Sequence, residues 1–388
     1  VTRPGAVVIV GESIAGLTAA RELRAQGYDG TVTIIGSEPE GAYARPPLSK
    51  AVLKDASGET GLSYPCADLD LRHVRSPAVA LDAPGRVVTT DDGRAVPYDA
   101  LLVATGATAR RLATPDQRGE LVLRTLADAR AIRERMDHAA SVIVIGAGFL
   151  GMEVASAAAA RGLDVTVIDT EPPLRRLLGS YLSDRLAAHA AARGVRTRQV
   201  SGPVELAGTP VRGVTLPDGD TLTADLVVTC AGDLPAVGWL SGTPLADPAG
   251  IAIDERCSTS VPGVFAAGDV ARLSPSAGCS GSRAPFWSNA VAQGKVAAAS
   301  MLGQDSPLRP TDDYFWTEIL GLSIKVAGPL PLTGAPASVD GDVQAGDAIL
   351  RWDRPGQRTT AVAFGRKVPV GRLRALARDS ASSHKEKS

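Results

Sequence analysis

Three glycines in "VIVIGAGFLG", Gly146, Gly148 and Gly151, keep the spacing G-x-G-x-x-G between an apolar run and an alanine-rich one. Each position meets a separate physical demand. The first makes a tight turn, the second lets a diphosphate approach bare backbone, and the third lets the next helix lie close on the strand. That helix points its free amides and positive dipole end at the phosphates. An earlier stretch, "VIVGESIAGL", keeps Gly11 and Gly16 but has Ser13 at the middle position. Serine is small enough for the approach and can donate a hydrogen bond. Both spacings suit the holding of a dinucleotide by its diphosphate.

Acidic residues separate the two. Asp169 closes "VTVID", where a carboxylate accepts ribose hydroxyls and repels a 2′-phosphate, favouring NADH over NADPH. Arg175 and Arg176 follow closely and pull the other way, since an arginine accommodates that phosphate. In the earlier copy the matching strand ends in Gly36 and Ser37, and the nearest acid is Glu38. Glu38 is the expected ribose ligand there, although it stands a little late for the plain rule.

The elements that must position these residues form a near-repeat. One copy, "AVVIVGESIAGLTAARELRAQGYDGTVTIIG", begins at Ala6, and the other, "SVIVIGAGFLGMEVASAAAARGLDVTVIDT", at Ser141. Each reads as buried strand, glycine turn, alanine-rich helix, polar break and second buried strand, a βαβ unit of about 30 residues. Three more apolar strands end in small turns. "DALLVATGATAR" ends at Thr105 and Gly106, "DLVVTCAGDLP" passes Gly232, and "VPGVFAAGDVAR" ends at Gly268 and Asp269. The Asp269 carboxylate suits a ribityl hydroxyl. Two dinucleotide sites so furnished fit one nicotinamide and one flavin.

The totals agree with that reading. A chain of 388 residues exceeds one compact core, so two or three domains are expected. With 41 Lys and Arg against 42 Asp and Glu, no global field draws nucleic acid or an anionic membrane. Cys66, Cys230, Cys257 and Cys279 form no CxxC or CxxxxC pair, and no His/Cys cluster has zinc spacing. No metal is expected. Structural disulfides are not expected either, which points to a reducing cytoplasm. "VTRPGAVVIV" enters a strand without a signal-peptide core, and no apolar run nears the roughly 18 residues that span a bilayer. The expectation is a soluble cytoplasmic protein.

One stretch stays open on these grounds. "GAYARPPLSK" sets Arg45 and Lys50 around two prolines, and alone it reads as a basic surface turn.

Taken in order, these motifs resemble the two-dinucleotide flavoprotein reductases, in particular the putidaredoxin reductase-like ferredoxin reductases of cytochrome P450 and Rieske oxygenase systems. The resemblance rests on the first glycine turn, "RPPLSK", "YDALLVATGA", "LRTLADA", "VIVIGAGFLGMEVA", "VFAAGDVAR", "WSNAVAQGKVAA" and "YFW", and covers nearly the whole chain. It implies an α/β fold of two Rossmann-like, glutathione reductase-type domains plus a C-terminal α+β domain. The implied segments are 1–109 and 236–309 for FAD, 110–235 for NAD, and 310–378 as C-terminal interface domain. Residues 379–388 read as a disordered tail.

The resemblance also implies roles. Lys50 stands near the reactive edge of the flavin, where its charge stabilises electron density arriving with hydride. Arg45, Arg124, Trp287, Ala15 and Ala78 join the cofactor contacts, and Gly232 joins them on the NAD side. Glu153, expected on the first turn of the second copy's helix, pairs with Lys50 beside the nicotinamide. A plain alternative for Glu153 is that it suits the helix dipole. Trp316 marks the face near the flavin where an acceptor docks.

Absences narrow the implied reaction. Neither a CxxxxC pair nor any cysteine within residues 37–50 is present, so no thiol relays the electrons. A one-electron acceptor, a small iron–sulfur ferredoxin, fits best. Arg351, Arg354, Arg358, Arg366, Lys367, Arg372, Arg374 and Arg378 make a basic region that reads equally as a surface steering an acidic partner and as a solvated helix face and loops. The chain departs from the family pattern at Pro285 and Cys230, and Thr317, Glu318 and Ile319 replace Ser-Asp-Gln. The alternatives are an NADH oxidase or small-molecule flavoenzyme, and a redox-signalling flavoprotein like apoptosis-inducing factor. A monomer or homodimer is expected.

Overall fold

The computed structural model describes residues 3–274, 281, 283–308, 314–353 and 358–378. The described residues fall into two compact units, each assembled from three stretches of chain. Val1–Ala44, Gly61–Thr108 and Asp233–Asp312 make the first, and Arg45–Thr60, Ala109–Gly232 and Asp313–Ser388 the second.

In the first unit, "AVVIV", "TVTII" and "ALLV" are β-branched or leucine-rich runs buried on both faces, as parallel strands must be. They form a five-stranded sheet in the order 264–266, 100–103, 6–10, 31–35, 71–74, with every pairing parallel. The Ala6–Val10 strand has its chain successor on one side and Ala100–Val103 on the other. The order therefore reverses there, and the Gly11 turn leaves the sheet at the crevice where such folds bind ligands. Asp99 fixes the register: its Oδ2 accepts the main-chain N–H groups of Gly5 and Ala6, both at 2.8 Å. The helices Ile14–Ala25 and Trp287–Met301 approach closely because Gly294 has no side chain, and a Cβ there would strike the Ala15 carbonyl group.

The second unit repeats the plan. Its parallel sheet runs 196–199, 164–169, 141–145, 226–229, 121–122, and reverses at Ser141–Ile145. Asp225 holds that strand as Asp99 holds the first, accepting from Ala140 N at 2.9 Å and Ser141 N at 3.0 Å. The same unit contains an antiparallel sheet in the order 314–319, 322–327, 360–364, 347–352, 338–342, with the helix Val370–Leu376 packed on it. Fold class is thus α/β with two Rossmann-like layers and a C-terminal α+β part. Among the described residues, no helix is long and apolar enough to cross a membrane.

Residues 45–60 are tied into the second unit by charge. Glu59 takes Arg130 and Arg133 at 2.8 Å each, and Arg133 also donates to the Val52 carbonyl at 3.0 Å. Arg161 donates to the Lys54 carbonyl at 2.6 Å, ending the short helix Ala51–Lys54. Lys50, the residue before that helix, is placed by these anchors.

Candidate active site

In the first unit, the turn Gly11–Gly16 closes against the 100–103 strand end. A Cβ at Gly11 would run into the Ala104 carbonyl and lie 3.1 Å from Thr105 N. A Cβ at Gly16 would strike the Gly11 carbonyl and one at Gly268 would come within 3.1 Å of Ala15, so Gly11, Ala15, Gly16, Thr105 and Gly268 converge. Ser13 is the N-cap of the helix that follows. The Thr105 hydroxyl donates to the Ala236 carbonyl at 2.9 Å, and Gln293 Oε1 accepts from Gly268 N at 2.7 Å. Arg283 donates to the Asp269 carbonyl at 2.9 Å and pairs with Asp233. Tyr43 donates its hydroxyl proton to Glu38. Trp287, exposed, donates to Tyr64 Oη at 3.2 Å. Ala78 opens a separate antiparallel sheet and packs on the unit's apolar core.

One residue of this turn escapes a reading of the motif. Gly11 N donates to Ile35 O and Gly146 N to Ile168 O, which aligns Gly36 with Asp169 across the repeat. At Gly36 the anion comes instead from Glu12, whose buried carboxylate occupies the space of a Gly36 Cβ. Arg75 Nη1 reaches its two oxygens at 2.6 and 2.7 Å. The signal was present in sequence: the first copy lacks the strand-end acid but has one inside its turn.

In the second unit, a Cβ at Gly151 would collide with the Gly146 carbonyl, so the helix Phe149–Ala160 can lie close only with glycine there. Gly148 is different. Among the described residues a Cβ on it would meet no atom within 4 Å outside its own stretch of chain, and its φ of −73° suits any residue. Neither packing nor backbone demands glycine here, and the bare main chain leaves room for a dinucleotide diphosphate. The residues fit that group. Asp169 Oδ2 accepts from Ala147 N at 2.7 Å, and Arg176 stands 3.8 Å from its other oxygen while bonding Glu171 at 3.1 Å. Arg175 pairs with Asp184 at 3.0 Å. Gly232 has φ +94° and open space around it. Arg45 donates to the Arg124 carbonyl at 2.8 Å.

Glu153 is the centre of this unit's polar chemistry. Lys50 Nζ lies 2.8 Å from its Oε1, which also accepts from the Thr317 hydroxyl at 2.6 Å. Oε2 accepts from the Ser49 hydroxyl at 2.5 Å. Lys50 in turn donates to the Pro46 carbonyl at 3.1 Å, so the proline pair sets the ammonium as well as the chain. The first-turn placement of Glu153 needs correction. The helix begins at Phe149 and its first turn holds no acid, so Glu153 stands in the second turn. Macrodipole stabilisation fades beyond the first turn and does not explain a buried carboxylate here. Ser49 and Thr317 are the partners that motif spacing alone does not reveal.

Trp316 alternates with Thr317 along the strand Tyr314–Ile319, which has its odd positions buried. Its ring is exposed and stacks on Tyr314 at 5.9 Å. Cys230 closes the floor of the glycine turn; burial pushes its thiol up to about 12, with the Glu153 charge adding to the shift. Burial likewise raises Cys257. Cys279, Arg354, Pro310 and the 379–388 tail lie outside the described residues. Among the described residues no cluster could hold a metal ion.

Residues 5–294 match the family described as pyridine nucleotide-disulphide oxidoreductase. The chain belongs to this family. Rhodocoxin reductase of Rhodococcus erythropolis is 36% identical over 333 residues, covering 83% of this chain and 78% of that one. The ferredoxin–NAD(+) reductase component of the biphenyl dioxygenase system of Paraburkholderia xenovorans is 35% identical, with 89% and 86% covered. Among solved structures, the ferredoxin reductase for the CYP199A2 system from Rhodopseudomonas palustris superposes with a TM-score of 0.86 at 31% identity, covering 93% of this chain and 91% of that chain. The protein is an enzyme of this oxidoreductase family.

Proposed function

We propose that this protein is an NADH-dependent, FAD-containing ferredoxin reductase that serves a cytochrome P450 or Rieske oxygenase. The observation that carries the proposal is the Lys50–Glu153 pair, in a unit whose described cysteine, Cys230, is kept protonated by burial. Charge is available at this site and a thiolate is not. When bound, FAD takes two electrons as hydride from NADH and gives them up singly to an iron–sulfur centre.

The chain's own residues do the rest. Residues 1–109 and 236–309 are assigned to FAD, 110–235 to NADH and 310–378 to the acceptor's side. Gly146, Gly148 and Gly151 seat the NADH diphosphate, and Asp169 accepts ribose hydroxyls. Gly11, Ser13 and Gly16 seat the second diphosphate, with Glu38 on its ribose and Thr105 and Asp269 along the ribityl chain. Lys50 supplies fixed positive charge where the reacting ring gains electron density, and Glu153 orients that charge. Trp316 offers the acceptor an exposed aromatic surface. Arg366 is held by Asp347 at 2.8 Å and Asp340 at 3.3 Å, so steering falls mainly to the exposed Lys367, Arg372 and Arg378.

Anaerobic stopped-flow mixing with NADH tests the proposal. Fast bleaching of the flavin band, with cytochrome c reduction that requires added ferredoxin, is the expected result. Rapid oxygen consumption without a carrier protein would make it an NADH oxidase instead. Slow bleaching accompanied by dimer formation would point to a redox-reporting protein.

A further inference from the structure

We propose that Thr317 and Ser49 are positioning residues, which lock the Glu153 carboxylate and through it hold the Lys50 ammonium ready for hydride delivery. The inference rests on the reductase reading above and extends it to the two hydroxyls that surround the ion pair.

Three donors converge on one carboxylate from two other segments of chain. Oε1 accepts from Thr317 at 2.6 Å and Lys50 at 2.8 Å, and Oε2 from Ser49 at 2.5 Å. Glu153 and Thr317 are 6% and 1% exposed, so this hydroxyl and carboxylate meet away from bulk solvent. The two locks are stiff for different reasons. Thr317 is β-branched and sits inside a strand paired to Ile324, which restricts its χ1. Ser49 follows the two prolines and is 4% exposed. Lys50, by contrast, hangs on a flexible four-carbon stem, and its ammonium is aimed by its partners, the Pro46 carbonyl and the Glu153 carboxylate.

Such a lock is needed because space lies beside it. A cavity of about 40 Å³ is lined by Ser49, Lys50, Lys54, Glu153, Ser156 and Glu318. A carboxylate that lost a hydroxyl donor could rotate toward it, taking the ammonium along. The departure from Ser to Thr at position 317 keeps the hydroxyl, and that is the group the geometry uses. Strand alternation adds a consequence: Trp316 faces outward while its neighbour Thr317 holds the carboxylate from within.

The test compares T317V, which keeps shape and removes the donor, with T317S, which keeps the donor and removes the methyl. S49A is the independent second variant. Competitive acetylation read by mass spectrometry on the purified protein reports Lys50 reactivity relative to Lys54. Stopped-flow bleaching reports the limiting hydride-transfer rate separately from NADH affinity. T317V and S49A should each raise relative Lys50 labelling severalfold and slow hydride transfer about tenfold, the factor carried by one charge-assisted hydrogen bond, with NADH affinity nearly unchanged. T317S should restore both values to within about twofold of wild type, since it retains that bond. Unchanged Lys50 labelling in T317V and S49A would overturn the proposal, as would T317S behaving like T317V. A wild-type protein that labels as expected but is not bleached by NADH would instead sink the reductase reading.

Discussion

Asp169 accepts a hydrogen bond from the main-chain N–H of Ala147 at 2.7 Å, so the strand-end acid also braces the glycine turn. Under the proposed function, one side chain then serves the ribose and the diphosphate together. Replacing Asp169 by alanine should raise the KM for NADH by roughly tenfold or more, the scale of a hydrogen bond to a charged group. Steady-state kinetics would measure this, and an unchanged KM would exclude the ribose role.

Gly148 and Gly151 separate ligand from fold. Gly151→Ala drives a methyl into the Gly146 carbonyl and should destabilise the protein by about 1–3 kcal/mol, measured by denaturant unfolding. Gly148→Ala meets nothing within 4 Å and should leave stability as it is while weakening NADH binding. Equal losses of stability in the two variants would count against a diphosphate at Gly148.

Glu153→Gln removes the counter-charge of Lys50 while keeping the volume. The ammonium then has an amide oxygen in place of a carboxylate, and hydride transfer should slow by about 100-fold, the low end of the range for loss of a preorganised electrostatic group. Stopped-flow reduction by NADH measures it directly. A wild-type rate in this variant would remove Glu153 from the mechanism.

Two described histidines contribute to the pH response above the carboxylate range. Burial lowers the pKa of His189, whose Nε2 lies 3.2 Å from the Leu320 carbonyl oxygen, and nearby Arg193 lowers it further. Burial and Arg75 lower that of His73. In both cases the fold favours the neutral ring, so unfolding takes up protons once pH drops below the ordinary value of 6.5. Stability from these groups is complete above that value and is lost as pH falls toward their lower folded values. Denaturant midpoints should therefore drop between pH 7.5 and 5.5, and an H73Q/H189Q double variant should flatten the slope. Asp225 adds a later loss: its main-chain hydrogen bonds hold its pKa below 3.8, so its contribution goes only in stronger acid.

The repeat was legible because its signal is local. Strand, glycine turn, helix and second strand lie within one stretch, and the period of apolar residues states each element. The strand-start anchors were less visible. Asp99 and Asp225 precede similar runs, yet their work depends on which strands are neighbours, and pairing across about 90 residues leaves no spacing to read. Glu12 shows a subtler limit: sequence offered Gly36 and a misplaced acid, and only the backbone shows that one fills the room left by the other. The lock on Glu153 was hidden for a further reason. Serine and threonine are ordinary in turns and strands, and their value comes from meeting a carboxylate 104 and 164 residues away in sequence.

The chain visits the second unit three times, and the Glu153 cluster draws on every visit: Ser49 and Lys50, then Glu153, then Thr317. Synthesis on the ribosome therefore delivers the lysine first and its last supporting hydroxyl near the end. A nascent or truncated chain that stops short of Tyr314 already has both glycine turns but only part of the cluster's polar support. The polar support of the ion pair is thus complete only once translation has passed Thr317.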